Sequence, residues 1–174
     1  LILVGGVIFD QFKSIYQAKI YAHLEELVAK HRQAIDTFLS EKQRKIRFVA
    51  ESFTYEQLTD EAFLAKQLQH LQKVFSLVFV DMGIVDATGR QIAYAGPFDL
   101  RGADYSQAGW FKDAVQNPFH VSDVFLGLRD SPHFIVSVRK FEGDRLWILR
   151  ATIDFVSFND LVEKVERENE SVGR

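Results

Sequence analysis

Residues 77–95 have the sequence LVFVDMGIVDATGRQIAYA, the most informative stretch of this chain. The run Leu77–Met82 is apolar apart from one aspartate, which is typical of a buried strand. Residues 86–90, DATGR, have the composition of a turn, and Gln91–Ala95 is a strand-like partner on its far side. The stretch therefore predicts an antiparallel hairpin that supplies two strands of a sheet.

The pattern after the hairpin predicts one helix and three more strands. The amphipathic segment Ser106–Gln116 is typical of a helix, and residues 127–132 and 142–144 have turn composition. The three predicted strands are Val121–Leu126, Phe134–Lys140 and Leu146–Phe155. Mostly antiparallel strands in a single sheet, with helices outside it, indicate an α+β module.

A long helix precedes the hairpin. From Asp10 to about Ser52 there is no Pro or Gly, and apolar residues recur with helical spacing. Roughly forty helical residues would extend about 60 Å, so one end should project as a stalk. Its apolar stripe must be buried, which favours a parallel homodimer, although the domain itself could cover the stripe instead.

Capping signals follow the long helix. Thr54 and Gln57 have the spacing of a capping box, and Thr59 with the acidic residues after it indicates a second helix N-terminus. A shorter helix should then occupy residues 60–74. A final helix is predicted at about 157–169 by its one-sided apolar pattern.

The uncharged start, Leu1–Phe9, is short of the roughly 20 residues that cross a bilayer. The interpretation we favour is the remnant of a transmembrane helix. A buried helix start and a processing segment are the alternatives, but neither a preceding basic stretch nor a small-residue cleavage site supports the latter.

The composition excludes several classes of function. The net charge is −3, from 21 basic and 24 acidic residues, so we expect no nucleic-acid partner. The absence of Cys removes thiolate catalysis and Cys-ligated metals, and the five His lack ligand spacing. Phosphate-binding loops and nucleophile elbows are also missing from the sequence. We therefore expect neither catalysis nor a cofactor or metal in this fragment.

Four segments together carry a family resemblance: Tyr94–Leu100, Asp104–Phe111, Ser122–Gly127 and Pro132–Ile135. In this order and spacing they resemble the Cache domains, which are PAS-like extracytoplasmic sensors of bacterial transmembrane receptors. The resemblance covers nearly the whole chain and is strongest to membrane-bound sensor histidine kinases.

The resemblance implies a long N-terminal helix packed on a PAS-like five-stranded antiparallel sheet, with a short C-terminal exit helix. It divides the chain into a transmembrane remnant (1–9), a stalk helix (10–52), a Cache sensor module (53–156) and an exit helix (157–174). The implied function is periplasmic small-molecule sensing in a membrane-anchored two-component histidine kinase. The ligand pocket would lie on one face of the sheet, under residues 94–111.

Amino-acid-binding members of this family place an Arg two residues before the Trp, where it grips the ligand carboxylate. Here Ala108 occupies that position, which argues against free α-amino acids. Arg129 or His133 could supply a replacement positive group if their loop folds over the pocket. The candidate ligand-binding residues are Tyr94, Arg101, Asp104, Tyr105, Trp110, Phe111, Asp123, Phe125, Arg129, His133 and Asp154.

Each candidate also has a purely structural interpretation. Trp110 and Phe111 could be core packing, and Asp123 could accept hydrogen bonds in a turn. Arg101 and Asp104 could form a surface ion pair, which would contribute little. Asp154 could cap the last helix.

Other functions remain open at this point. The same fold serves chemoreceptors and diguanylate cyclases, and a dimerisation spacer could fill the pocket with its own side chains. A cytoplasmic PAS or GAF domain holding haem or flavin is a further alternative, against which the apolar start and the stalk weigh.

Overall fold

The computed structural model describes residues 32–33, 35–75, 78–125, 127–129 and 132–154. The chain divides into two compact units, residues 38–160 and residues 1–37 with 161–174. In the second unit the described residues, 32–33 and 35–37, are helical. The predicted membrane remnant, most of the stalk and the exit helix lie outside the described residues. No helix in the described part of the chain has the length and apolarity to span a membrane.

A five-stranded antiparallel sheet forms the centre of the first unit. In chain order its strands are β1 (Phe79–Asp86), β2 (Gln91–Ala95), β3 (Phe119–Val121), β4 (His133–Glu142) and β5 (Arg145–Asp154). Their spatial order is β2-β1-β5-β4-β3, so the last strand lies between the first and the fourth. The predicted five-stranded antiparallel sheet is confirmed.

Among the described residues of the first unit, three α-helices come before the sheet and one α-helix interrupts it. Residues 38–52 are helical (α1), followed by α2 (Tyr55–Thr59), α3 (Glu61–Phe75) and, after β2, α4 (Gly109–Gln116). The helix predicted at 60–74 is confirmed. α3 packs on β1 and β2, whereas α4 packs on β3 and β4.

The local capping signals act on these short helices. Thr54 Oγ1 accepts from the backbone N–H of Gln57 at 3.3 Å, and Thr54 N–H donates to Gln57 Oε1 at 3.0 Å, which is a complete capping box on α2. At the start of α3, Asp60 Oδ1 accepts from the backbone N–H groups of Ala62 and Phe63. Thr59 was expected to help there, but its hydroxyl donates to a carbonyl of the preceding turn.

Three predicted boundaries are wrong by several residues. β1 was predicted to end at Met82 but continues to Asp86, because residues 83–86 pair with β5 and residues 83–85 also pair with β2. β3 covers Phe119–Val121 rather than Val121–Leu126, and of the described residues predicted to extend it only Phe125 pairs again, as an isolated bridge with His133.

α4 begins at Gly109 rather than Ser106, because Ala108 is extended, with a ψ of 134°, and is the N-cap. Before it lies a turn in which Ala108 N–H donates to the Tyr105 carbonyl at 2.9 Å and Ser106 N–H donates to Asp104 Oδ1 at 2.8 Å. Local turn hydrogen bonds therefore replace the first turn of the predicted helix.

The alternation of side chains along β5 separates the two faces of the sheet. Ile148 packs with Trp110 and Phe111 of α4, and Arg150 lies two residues further along on the same face. The alternate residues of β5 point to the opposite face, where their hydrophobic side chains are fully buried: Trp147, Leu149, Ala151 and Ile153.

Candidate ligand-binding cavity

A cavity of about 520 Å³ opens on the face of the sheet that carries α4. Its floor is formed by β4 and β5, through His133, Ile135, Arg150 and Thr152. One wall is α4 with the loop before it, and the other is β3 with the segment after it. The volume lies within the range of pockets for small molecules.

The first wall is attached to the hairpin by backbone hydrogen bonds. Tyr105 N–H donates to the Gly89 carbonyl at 2.7 Å, and Gln91 N–H donates to the Ala103 carbonyl at 2.9 Å. The rings of Tyr105 and Trp110 meet edge to face with centroids 5.1 Å apart, and both side chains are buried. These contacts hold an aromatic surface toward the cavity.

The second wall closes over His133. Phe125 and His133 exchange backbone hydrogen bonds of 2.9 and 3.0 Å, and their ring centroids are 4.4 Å apart. Gly127 has a φ of +56°, and a Cβ added there would lie 2.7 Å from a Phe125 ring carbon and 2.9 Å from His133 Cε1. Only glycine allows the chain to pass this close to the two rings.

A buried guanidinium forms the polar part of the floor. Arg150 is 1% exposed, and its Nη1 donates to Asp81 Oδ1 at 2.9 Å. Gln91 Oε1 accepts from both Nε and Nη2, while Thr152 and Tyr105 accept the remaining bonds at 3.2 and 3.3 Å. Because a charge is stable in such a place only when paired and hydrogen-bonded, this network makes the buried arginine tolerable.

Further hydrogen bonds hold the Arg150 partners Asp81 and Gln91 in place. Asp81 Oδ2 accepts from the Tyr94 hydroxyl at 3.0 Å, and the amide of Gln91 donates to the Leu100 carbonyl. The hairpin, the loop before α4 and the central strand β5 thus meet at one polar cluster.

The mouth of the cavity is acidic. Asp113 and Asp123 are exposed lining residues, and so is Asp104, whose pKa is lowered by the hydrogen bond from the Ser106 backbone. Among the described lining residues Arg150 is the only Lys or Arg. The cavity therefore has negative charge at its mouth, whereas at its floor the charges of Arg150 and Asp81 cancel each other.

One lining atom has no partner within the described chain. Nε2 of His120 is buried without a hydrogen bond among the described residues. The nearest carboxylate oxygen, Asp113 Oδ2, is 3.9 Å away, which is beyond hydrogen-bonding distance. No group of three or more potential metal ligands occurs among the described residues.

Many of the candidate ligand-binding residues lie together. The predicted residues that line the cavity are Asp104, Tyr105, Trp110, Asp123, Phe125 and His133. Gly127 and Leu128 line it as well, so part of the loop after β3 does border the cavity. The side chain of Arg129 lies outside the described residues.

Other candidates do not line this cavity. Tyr94 and Arg101 border a separate shallow concavity near the start of α3, where Arg101 pairs with Glu61 at 3.0 Å. Phe111 packs in the apolar cluster beneath α4. Asp154 ends β5, paired in register with His133, and is not a lining residue.

Sequence reasoning missed Arg150, Thr152, Ser122, Asp113 and His120, all of which line the cavity. A signal for Arg150 was present, because it stands within an apolar strand, as does Asp81 in the first strand. A charged residue in a buried strand requires a partner, so two such residues of opposite charge are expected to form an ion pair. His120 carries no comparable local signal.

Comparison with known proteins bears on the fold. No protein-family model and no curated protein sequence matches the chain. Solved structures do: the ligand-binding domain of the Campylobacter jejuni chemoreceptor Tlp3 in complex with L-valine is 15% identical, with a TM-score of 0.65 over 86% of this chain and 65% of that one.

Two further structures extend the likeness. The ligand-binding domain of the Pseudomonas aeruginosa amino acid chemoreceptor PctC, in complex with GABA, is 21% identical, with a TM-score of 0.63 over 80% of this chain and 66% of that one. The extracellular domain assigned to a histidine kinase, vpHK1S-Z8, is 16% identical, with a TM-score of 0.60 over 79% and 58%.

These likenesses confirm the predicted fold. The chain spans 59 to 66% of the length of the Tlp3 domains it matches.

Proposed function

We propose that this chain is an extracytoplasmic small-molecule-sensing domain of a transmembrane two-component sensor histidine kinase. The observation that carries the proposal is the cavity on the α4 face, with its aromatic wall and its satisfied polar floor. A spacer that needed only to fold would be expected to fill this space with side chains, because protein interiors are close-packed. Two domains of similar fold are described in complex with L-valine and with GABA, which supports a small-molecule ligand for this chain.

The walls of the cavity suggest how binding would be transmitted. A ligand touching both Trp110 and Phe125 would draw the two walls together across β4 and β5. β5 is central in the sheet and leads directly toward the exit helix predicted at 157–174. We propose that a small shift of this strand biases the terminal helices between two arrangements, which the rest of the receptor detects.

The proposed output module is a histidine kinase, and a chemoreceptor is the main alternative. The choice of kinase rests on the sequence resemblance described above. Autophosphorylation of the full-length receptor in membrane vesicles, with and without ligand, tests it. Ligand-dependent phosphate incorporation supports the kinase, whereas its absence, in a receptor whose sensor domain binds the same ligand, contradicts it.

Ligand binding is tested by thermal shift of the purified domain against small amines, carboxylates, polyols and purines. A ligand at about 100 times its Kd stabilises the fold by about 2.7 kcal/mol, which is several degrees at this size. Trp110→Ala should abolish the shift. Phe111→Ala is the matched control, because it removes a neighbouring buried ring of α4 that does not line the cavity.

Both variants should lose stability by a comparable amount, since each deletes a buried aromatic side chain. Only Trp110→Ala should lose the ligand response. A response retained in Trp110→Ala, or no response to any compound with none copurified, would contradict a sensory role for this cavity.

A further inference from the structure

We propose that the cavity is selective for protonated primary amines that carry no carboxylate. This inference rests on the proposed function, because it names the ligand class of the same cavity. Three observations support it: the hydrogen bonds of Arg150, the unpartnered nitrogen of His120 and the charge around the cavity mouth.

The guanidinium of Arg150 already donates its hydrogen bonds to other residues of the protein. Its hydrogen bonds go to Asp81, Gln91, Thr152 and Tyr105, and each of its three nitrogens takes part. A bidentate contact with a ligand carboxylate needs two N–H groups directed at the ligand. Arg150 would have to give up protein partners to supply them, so a carboxylate finds no ready cation at the floor.

Two acceptors converge on the side of the cavity formed by α4 and β3. Nε2 of His120 is buried and without a hydrogen bond, and Asp113 Oδ2 lies 3.9 Å from it. In the tautomer protonated at Nδ1, Nε2 is an acceptor, as the carboxylate is. An ammonium has three N–H donors, so it can bond to both atoms at once and satisfy the buried nitrogen, which is otherwise costly to leave unpaired.

The remaining surroundings favour a cation and disfavour an anion. Asp104 and Asp123 add negative charge at the mouth. The walls present the rings of Tyr105, Trp110 and Phe125, and aromatic faces attract organic cations. A small amine with an apolar body therefore matches the walls with its body and the two acceptors with its head group.

The test uses probes that differ only in the head group. Phenethylamine, 3-phenylpropanoate and phenylalanine share the same ring and carry an ammonium, a carboxylate or both, and butylamine, pentanoate and norvaline form an aliphatic set. Calorimetric titration of the wild-type domain should show binding of at least one of the two amines. The matched carboxylate should bind at least tenfold more weakly.

The variants Asp113→Asn and His120→Phe locate the head group. Each should weaken amine binding by about tenfold or more, because a hydrogen bond to a charged group is lost. Asp99→Asn removes an exposed carboxylate outside the cavity and should leave the affinity within twofold. Circular dichroism of each variant confirms that the fold is retained.

The outcomes separate this inference from the proposed function. Binding of a carboxylate or a neutral compound that is lost in Trp110→Ala would overturn the amine selectivity and leave the sensory role standing. Equal amine affinity in wild type and Asp113→Asn would also overturn it. Absence of binding by every probe and by the wider panel would overturn both.

Discussion

Removal of one member of the buried Arg150–Asp81 pair should destabilise the domain more than removal of both. The two side chains are 1% and 0% exposed, and their charged atoms are 2.9 Å apart. Arg150→Met would leave the carboxylate of Asp81 buried opposite an apolar side chain. Asp81→Leu would leave the guanidinium with neutral acceptors only, on Gln91, Thr152 and Tyr105.

The expected magnitude follows from the burial. An uncompensated buried charge costs about 3 to 5 kcal/mol, so each single variant should lose that much free energy of unfolding. The double variant leaves no unpaired charge, although Tyr94 loses its bond to Asp81, and Gln91, Thr152 and Tyr105 lose theirs to Arg150. We expect the double variant to be more stable than either single variant, which requires a coupling larger than either single loss, that is, above about 3 kcal/mol.

Urea denaturation at pH 7, followed by tryptophan fluorescence and circular dichroism, measures all four proteins of this cycle. The slope with denaturant should stay constant, so that midpoint shifts report stability alone. Additive losses, or a single variant as stable as wild type, would refute the reasoning that the pair is a desolvated ion pair beneath the cavity.

Four further substitutions have defined expectations. Gly143→Ala should lower the free energy of unfolding by about 1 to 2 kcal/mol, because the positive φ of this residue is unfavourable for alanine. Gly127→Ala should lower it further, because the added methyl group would also meet His133, and scanning calorimetry measures both losses. Thr54→Ala should lower the free energy of unfolding by about 1 kcal/mol through loss of the capping box, and an unchanged urea midpoint would contradict this. Burial lowers the pKa of Lys42, so folding is penalised while its amine is charged, and stability should rise as the pH passes from that lowered pKa toward the ordinary 10.5. Lys42→Met should therefore stabilise the domain at pH 7, and that advantage should shrink in urea titrations at alkaline pH.

The regular elements were largely predictable because their signals are local. The Gln91–Ala95 strand and the capping box at Thr54 were predicted with the bounds that the structure has, and β5 differs from its prediction by one residue at each end. Periodicity and capping depend on residues only a few positions apart, so the sequence carries them directly. The failures were at the end of β1, at β3 and at the start of α4. After β3 the Ser122 hydroxyl, rather than a backbone carbonyl, accepts from the Ile135 N–H at 2.9 Å, and before α4 a turn binds Ser106 N–H to Asp104 Oδ1.

The candidate site was only partly predictable. The aromatic residues Tyr105, Trp110 and Phe125 were identified through the family resemblance, and the structure places all three around the cavity. The same reasoning also selected Tyr94, Phe111 and Asp154, which do not line the cavity. Residue type suggested a role in each case, but which wall a side chain belongs to depends on packing.

The sequence by itself determined the α+β class, the antiparallel hairpin and the absence of cysteine chemistry, because each of these follows from composition or from neighbouring residues. Only the tertiary structure decided that Asp81 meets Arg150, since 69 residues separate them and the placement of β5 beside β1 brings them together. The convergence of His120 with Asp113 likewise depends on how α4 packs against β3. A charge within an apolar strand indicates that a partner is needed, but strand order decides which residue that partner is.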